Sequence, residues 1–278
     1  MRRGNMVRVL DGVLLLDKEE NDRIWVMTFN RPERMNAFNG DMRAKVHQTY
    51  WDFAKDETAR VLIVTGNGRG FGSGQDLRER ADRDEAKAKG LPDPMVVMPE
   101  HLQNIFPLAE SLNMWKPTIA AINGVATAGG FNHAMQCDIR IACEEHAEVG
   151  VGEARWNQGA GWVSHLPRII GMSHALELVL WADKRVNAQR AYEMGFVNEV
   201  TPHDKLMDTA MSWAERMLDL APRAVQNFKE ILYKGSYMGP FEMRRFAGAI
   251  EYNLRGMNDS IEGPKAFSEK RKPIFTNT

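Results

Sequence analysis

Two cysteines in 278 residues, Cys137 and Cys143, are too few for a disulfide scaffold or, by themselves, a Cys-based zinc site. That scarcity fits a reducing, cytoplasm-like compartment. Net charge is nearly absent too. The 36 Lys+Arg and 37 Asp+Glu residues leave a formal charge of −1, so no overall basic field draws nucleic acid. Long apolar runs are missing as well. The opening, Met1 to Leu10, carries two arginines, and the apolar run after it is broken by Asp11 and over by Asp17. That is too short and too interrupted for a signal peptide. The least polar stretch, Pro117 to Phe131, is dense in Gly and Ala and contains Asn123, whereas a spanning helix needs about 20 apolar residues. Membrane insertion is therefore not expected. Internal repeats, heptads and low-complexity segments are also lacking. What remains, 44% hydrophobic and 26% charged residues, is ordinary for a soluble globular chain with one large domain or a core plus an appendage.

Local patterning predicts strands alternating with helices. Val13–Leu16 and Ile24–Phe29 are apolar runs around the turn-forming Asn21-Asp22, which reads as a hairpin. Asp41 to Phe53 reads as a helix, and Arg60 to Thr65 as a buried strand that breaks into the glycines between 66 and 74. Arg78 to Gly90 is charged and solvated. Leu102, Ile105, Leu108, Leu112 and Trp115 recur at helical spacing, with Pro107 bending or delaying the helix and Pro117 ending it. Thr118–Ile122 and Ile139–Ala142 read as strands flanking a helix from about Gly129 to Cys137. This alternation argues for an α/β spiral or layered fold. From His203 to Arg271 the pattern is helical, with breaks at Pro222, Gly235-Ser236 and Pro240. A soft boundary near residue 202 divides residues 1–202, a core, from residues 203–278, a helical region.

Several motifs fail on inspection. The glycines of Gly66-Asn-Gly-Arg-Gly-Phe-Gly-Ser-Gly74 alternate, so no frame gives G-x-G-x-x-G and no G-K-[ST] follows. Gly171-Met-Ser-His-Ala175 is one residue short of a nucleophile elbow, and Ser173 reads as the cap of a helix beginning at His174. The seven histidines are scattered without an H-x-x-x-H pair, so no metal site is expected.

Two strand-to-loop transitions share one chemistry. Val64-Thr-Gly leads to Phe71-Gly-Ser-Gly-Gln-Asp-Leu77, and Ala120-Ala-Ile-Asn-Gly leads to Val125-Ala-Thr-Ala-Gly-Gly130. Small residues just past a buried strand let a ligand approach the backbone, and a helix start presents unpaired N–H groups. Facing each other, the two would make an oxyanion hole. Close strand–helix packing uses glycines equally well, and composition does not separate the two readings.

At this point the residues resemble a known family. Phe29-Asn-Arg-Pro-Glu-Arg-Met-Asn-Ala-Phe38, the Phe71–Leu77 loop and Lys116-Pro-Thr-Ile-Ala-Ala-Ile-Asn-Gly-Val-Ala-Thr-Ala-Gly-Gly130 through Cys137-Asp138 are similar to the crotonase (enoyl-CoA hydratase/isomerase) superfamily. Ala188–Val197 and Lys270-Arg-Lys-Pro-Ile-Phe275 fit as well, so the likeness runs from about Val13 to Phe275 in consistent order. It implies a spiral of β-β-α turns with a C-terminal helical oligomerisation region, a homotrimer or a hexamer, and an acyl-CoA substrate. It implies that the amides of Ser73 and Gly129 bind the thioester oxygen. By the same likeness, CoA lies near Arg34, Ala37 and Gly74-Gln75-Asp76-Leu77, with Gly130 beside it and Lys270 or Lys272 of a basic C-terminal helix, often a neighbouring subunit's, on its phosphates. No metal or redox cofactor is implied, because the CoA thioester itself supplies the activated carbonyl.

The sequence also departs from that pattern. Hydratases of the family use two glutamates, and the first position, three residues beyond Gly129, is Asn132 here. Asn exchanges no proton at neutral pH, although it can hold water or a substrate group. The second position matches Glu153, with a one-residue insertion before it, a segment after it about two residues short, and Gln158-Gly159 in place of the usual Pro-Gly. One carboxylate with an oxyanion hole can move a proton between C2 and C4 of a 3-enoyl thioester, or serve a hydratase-lyase. The usual two-Glu hydration is weakened. His133 stands as an extra acid/base, its ordinary pKa near ~6.5, and Arg155 and Trp156 as residues that shape a pocket. The expectation is an enoyl-CoA hydratase/isomerase-type enzyme, with lyase, hydrolase and decarboxylase variants open on the same site. A non-catalytic acyl-CoA-binding protein is the rival from another class, and a Ser173 hydrolase ranks last.

Overall fold

The computed structural model describes residues 7–19, 21–92, 99–103 and 105–278. The expectation about the first residues of the chain therefore falls partly outside the described residues. The chain begins with strands β1 (Val7–Leu10), β2 (Leu14–Glu19) and β3 (Ile24–Phe29), then helix α1 (Gly40–Lys55) and strand β4 (Val61–Gly66). Next come β5 (Gly70–Gly72), α2 (Leu77–Ala88), the single-turn α3 (Leu108–Ser111), β6 (Thr118–Ile122) and β7 (Val125–Thr127). Helix α4 (Gly129–Gln136), β8 (Ile139–Cys143), β9 (Glu148–Gly150) and α5 (Leu166–Leu180) follow. β10 (Val186–Asn187), α6 (Ala188–Glu193) and β11 (Glu199–Thr201) lead to the closing helices. These are α7 (Leu206–Leu218), α8 (Pro222–Gly235), α9 (Pro240–Glu251) and α10 (Asn258–Ser268).

Two sheets result among the described residues, a seven-stranded one in the order β1-β2-β3-β4-β6-β8-β11 and a four-stranded one in the order β10-β9-β7-β5. β4, β6 and β8 are parallel neighbours in the first, and β5, β7 and β9 are parallel neighbours in the second. Each β-β pair thus places one strand in each sheet before a helix brings the chain round. This is the crotonase-like α/β spiral that the motifs imply.

Its core follows from composition. Val61-Leu-Ile-Val-Thr65 and all of β6 are buried, so both read as continuous apolar runs rather than alternations. α7 lies on these strands through Leu206, Ala210 and Ala214, spaced four residues apart on one face. α1 begins where Asn39 Oδ1 accepts from the Met42 amide at 3.0 Å, and it buries Met42, Val46, Tyr50 and Phe53. The hairpin turn is built as expected, with Asn21 and Asp22 at φ 56° and 66°.

Three expectations need correction. The helix drawn through Leu102 to Trp115 shrinks to a 3₁₀ turn at Glu100–Leu102 and the four residues of α3. Pro107, without an N–H, can only start a helix here, yet Leu102, Ile105, Leu108, Leu112 and Trp115 are all buried. Ser173 makes no capping hydrogen bond among the described residues: the helical path breaks at Gly171 (φ 72°), and Ser173 lies past that break on an exposed stretch of α5. The C-terminal helices also break once more than expected, around Gly256 at φ 82°. Among the described residues no helix is long and apolar enough to cross a membrane.

Candidate active site

The site begins with glycines that cannot be anything larger. A Cβ on Gly130 would stand 1.9 Å from the Gly72 carbonyl oxygen, and one on Gly74 would stand 2.7 Å from Ala128 Cβ and 2.9 Å from the Gly129 nitrogen. Gly74 also sits at φ +89°. These contacts press the loop after β5 against the turn between β7 and α4, which brings Ser73 beside Gly129. Gly129 opens α4, so its N–H has no partner inside the helix and sits at the positive end of the dipole. Ala128 before it adopts φ 52°, ψ −125°, a strained conformation for a residue with a Cβ. Its amide donates to Gly150 O at 3.2 Å, and Thr127 Oγ1 donates to the same oxygen at 3.0 Å. The turn is therefore held from behind by β9.

The Arg31–Phe38 turn lies along the Ser73 loop. Phe38 N donates to Gly74 O at 2.7 Å, Asp76 N donates to Phe38 O at 3.1 Å, and Ser73 Oγ points back to Arg34 O at 3.4 Å. Ala37 is half-buried and Arg34 exposed. Asp76 serves the frame: it caps α2 through the Arg78 amide and pairs with Arg31 at 3.0 Å. Asn36 was quoted in the sequence motif without a role of its own. It is fully buried at φ 54°, and its carboxamide donates to Asn67 O and Gly70 O while accepting from the Arg31 amide. A buried Asn in the left-handed region is the signal that would have marked it as the tie between the two loops.

Glu153 reaches the same place from β9, at the head of a 3₁₀ turn, Glu153–Trp156. It shares a cavity of about 240 Å³ with Ser73, Gly129, Gln75, Leu77 and Trp156. Its Oε2 is buried and has no hydrogen-bond partner. Burial pushes its carboxyl above the ordinary glutamate value, against the smaller opposing pull of hydrogen bonds from its own amide, the Gly152 amide and Trp162. A proton carrier in a cleft has this profile. Gly152, Arg155, Gln158, Asp183 and Arg185 line the cavity as well. Asp183 and Arg185 arrive from the loop after α5, some thirty residues beyond Glu153, and no local pattern announces them.

α4 adds no titratable side chain to this cavity. Asn132 is buried, its Oδ1 accepting from Gln136 Nε2 at 3.2 Å, and it does not line the cavity. His133 corrects the expectation of an extra acid/base at the substrate. Its ring stacks on Phe38 at 4.7 Å, with Phe106 at 5.0 Å and Phe29 at 5.5 Å, and Nδ1 meets the Tyr50 hydroxyl at 3.3 Å. Burial drives its pKa down to about 3, so it stays neutral and packs. Lys272 is exposed and does not line this cavity of its own chain; its Nζ is bonded to Asp219 at 3.0 Å near the end of α7. Gly130 sits beneath Gly72 as a packing residue. Cys137 and Cys143 are buried, and burial pushes the Cys137 thiol up to about 12. No group of three His, Cys, Asp or Glu side chains suited to a metal occurs among the described residues.

Comparison with known proteins agrees with this architecture. Residues 19–278 match the family model described as enoyl-CoA hydratase/isomerase. The chain is 32% identical to (E)-benzylidenesuccinyl-CoA hydratase of Thauera aromatica over 92% of its length and 97% of that protein. It is also 32% identical to carnitinyl-CoA dehydratase of Escherichia coli strain K12, covering 92% of this chain and 95% of the relative. Among solved structures, an enoyl-CoA hydratase from Bacillus anthracis superposes with a TM-score of 0.84 at 28% identity, over 96% of this chain and 100% of that one. Sequence motifs, the two-sheet spiral and these relatives converge: the chain belongs to the enoyl-CoA hydratase/isomerase family.

Proposed function

We propose that the protein adds water across the C2=C3 double bond of an enoyl-CoA, or removes it in reverse, with Glu153 as its single proton carrier. One observation carries this reading: Glu153, its carboxyl pushed up by burial and one of its oxygens left without a hydrogen-bond partner, lines the same cavity as Ser73 and Gly129. In the forward direction ionised Glu153 takes a proton from water as the water oxygen bonds to C3. The π pair shifts towards C2 and the thioester oxygen, and the Ser73 and Gly129 amides hold the charge that gathers there. Such fixed donors are typically worth ~3–4 kcal/mol each. Glu153 then returns its proton to C2, the thioester carbonyl reforms, and one water has been added with nothing left over.

The names of the two curated relatives, a hydratase and a dehydratase, favour water chemistry over isomerisation. With Asn132 bonded to Gln136, this scheme assigns it no proton transfer. CoA runs along the Arg34–Ala37 turn and the Gly74–Leu77 loop. The reaction needs no metal or redox cofactor, because the thioester is already activated. Exposed Phe228, Leu232, Phe241 and Phe267 on α8, α9 and α10 suit burial between copies in a homotrimer. The scarcity of cysteine suits a cytoplasmic setting.

Mass spectrometry tests the reading with 2-enoyl-, 3-enoyl- and aromatic enoyl-CoAs incubated in D₂O, with wild type and Glu153→Gln side by side. Water addition that disappears in the variant is the expected result. Deuterium at C4 of a 3-enoyl-CoA without water addition would reassign the chain as an isomerase. Turnover that survives Glu153→Gln would remove Glu153 from the mechanism.

A further inference from the structure

The hydration scheme leaves one charge of the cavity unused. Arg155 stands two residues after Glu153 in the same 3₁₀ turn, a rise of about 4 Å, and both residues line the cavity that holds Ser73 and Gly129. Arg185 lines it too, but that guanidinium is already bonded to Glu148 at 2.7 Å. Arg155 pairs with no carboxylate among the described residues, Glu153 included, and its guanidinium carbon lies 5.5 Å from the Trp156 ring centre. An exposed guanidinium beside an aromatic ring, with no carboxylate partner, keeps its fork of N–H donors for a planar, bidentate anion.

We infer that Arg155 recognises a free carboxylate on the acyl group, which makes the substrate the CoA monothioester of an unsaturated dicarboxylic acid. The inference rests on the reading of Glu153 as the group that acts at C2 and C3. Phosphate offers the same chemistry, but the whole pantetheine arm separates the CoA phosphates from the carbons at which Glu153 works. Only the acyl end of the ligand comes that close to Arg155. Asp183 sharpens the choice. It lies on a separate segment of the wall, makes no ion pair among the described residues, and repels a carboxylate placed beside it. The acyl carboxylate is thereby directed to the Arg155 side.

Calorimetric binding of glutaryl-CoA, butyryl-CoA and free CoA to wild type, Arg155→Gln and Arg155→Lys separates these sources without requiring turnover. Wild type is expected to bind glutaryl-CoA at least about tenfold tighter than butyryl-CoA, the scale of one charge-assisted bidentate contact. In Arg155→Gln that ratio falls towards one, and Arg155→Lys keeps part of it. The same ratio should appear in kcat/KM for trans-4-carboxybut-2-enoyl-CoA against crotonyl-CoA. A wild type with no preference, or a preference that survives Arg155→Gln, would overturn the assignment. Equal weakening of all three ligands would make Arg155 a phosphate anchor and overturn it as well. Failure of the hydration scheme reads differently: the binding preference would persist while no enoyl-CoA gained water.

Discussion

Two walls flank the strained turn at Ala128, and they carry titratable groups in opposite states. On the Glu153 side a half-buried carboxyl lines a cavity, with one of its oxygens buried and left without a donor. On the α4 side His133 is buried still more completely, by four aromatic rings packed around it. Burial raises the acid and lowers the base, so each favours its neutral form. Only the first lines a cavity in which a reacting atom can sit. A perturbed pKa marks a catalytic group when geometry supplies an open partner position, and otherwise marks packing. The family pattern of one carboxylate on each wall is thus reduced here to one wall.

Substitutions on either side should respond differently. The largest expected effect is on rate: Glu153→Gln should lower kcat by about 10²–10⁴-fold, the range of a positioned acid/base, measured with the enoyl-CoA that wild type hydrates. Next is the turn that both walls share. Gly130→Ala drives a Cβ into the Gly72 carbonyl and should cost about 3 kcal/mol or more, visible as a lower Tm and a weakened thioester site. Smaller still, His133→Leu should cost about 1–3 kcal/mol because the buried Tyr50 hydroxyl loses its partner. Its pH–rate profile should keep the wild-type shape, since the imidazole takes no part in proton transfer.

The smallest effect concerns stability and pH. Glu153 has a higher pKa folded than unfolded, so below both values the carboxyl is neutral in either state and contributes nothing. As pH rises from about 4.5 through the folded value, the unfolded chain releases its proton first and the native state loses stability. Glu153→Gln should therefore raise Tm slightly at neutral pH and leave it unchanged near pH 4. An active site that holds a strained, partly desolvated group commonly gives up stability in this way.

Much of the spiral was legible because its buried strands are short continuous runs. Thr118–Ile122 was placed to the residue, and the Asn21-Asp22 turn to its chemistry. Gly72, Gly74, Gly129 and Gly130 announced close approach, and the structure gives the reason: contacts no Cβ could share at Gly74 and Gly130, and tight ones at Gly72 and Gly129. Local periodicity failed at Leu102–Trp115, where the spacing was helical but Pro107 and tertiary packing buried the same side chains with barely a turn of helix. It failed again at Gly171, where a break two residues earlier displaced the cap assigned to Ser173. Side-chain partners were the least legible. Nothing near His133 in the sequence predicts Phe29, Phe38, Tyr50 and Phe106 around it, and nothing near Glu153 predicts Asp183 and Arg185 across its cavity. Such groupings exist only after the chain has wound through several turns of the spiral.

The account turns on Glu153, and the acid limb of kcat/KM tests it most directly, followed in wild type and in Glu153→Gln with one enoyl-CoA. In wild type the rate should fall as pH drops through a midpoint above 4.5, the ordinary glutamate value. The residual rate of Glu153→Gln should be flat across that window. A variant that keeps the limb, or that keeps the wild-type rate, would show that another group carries the proton.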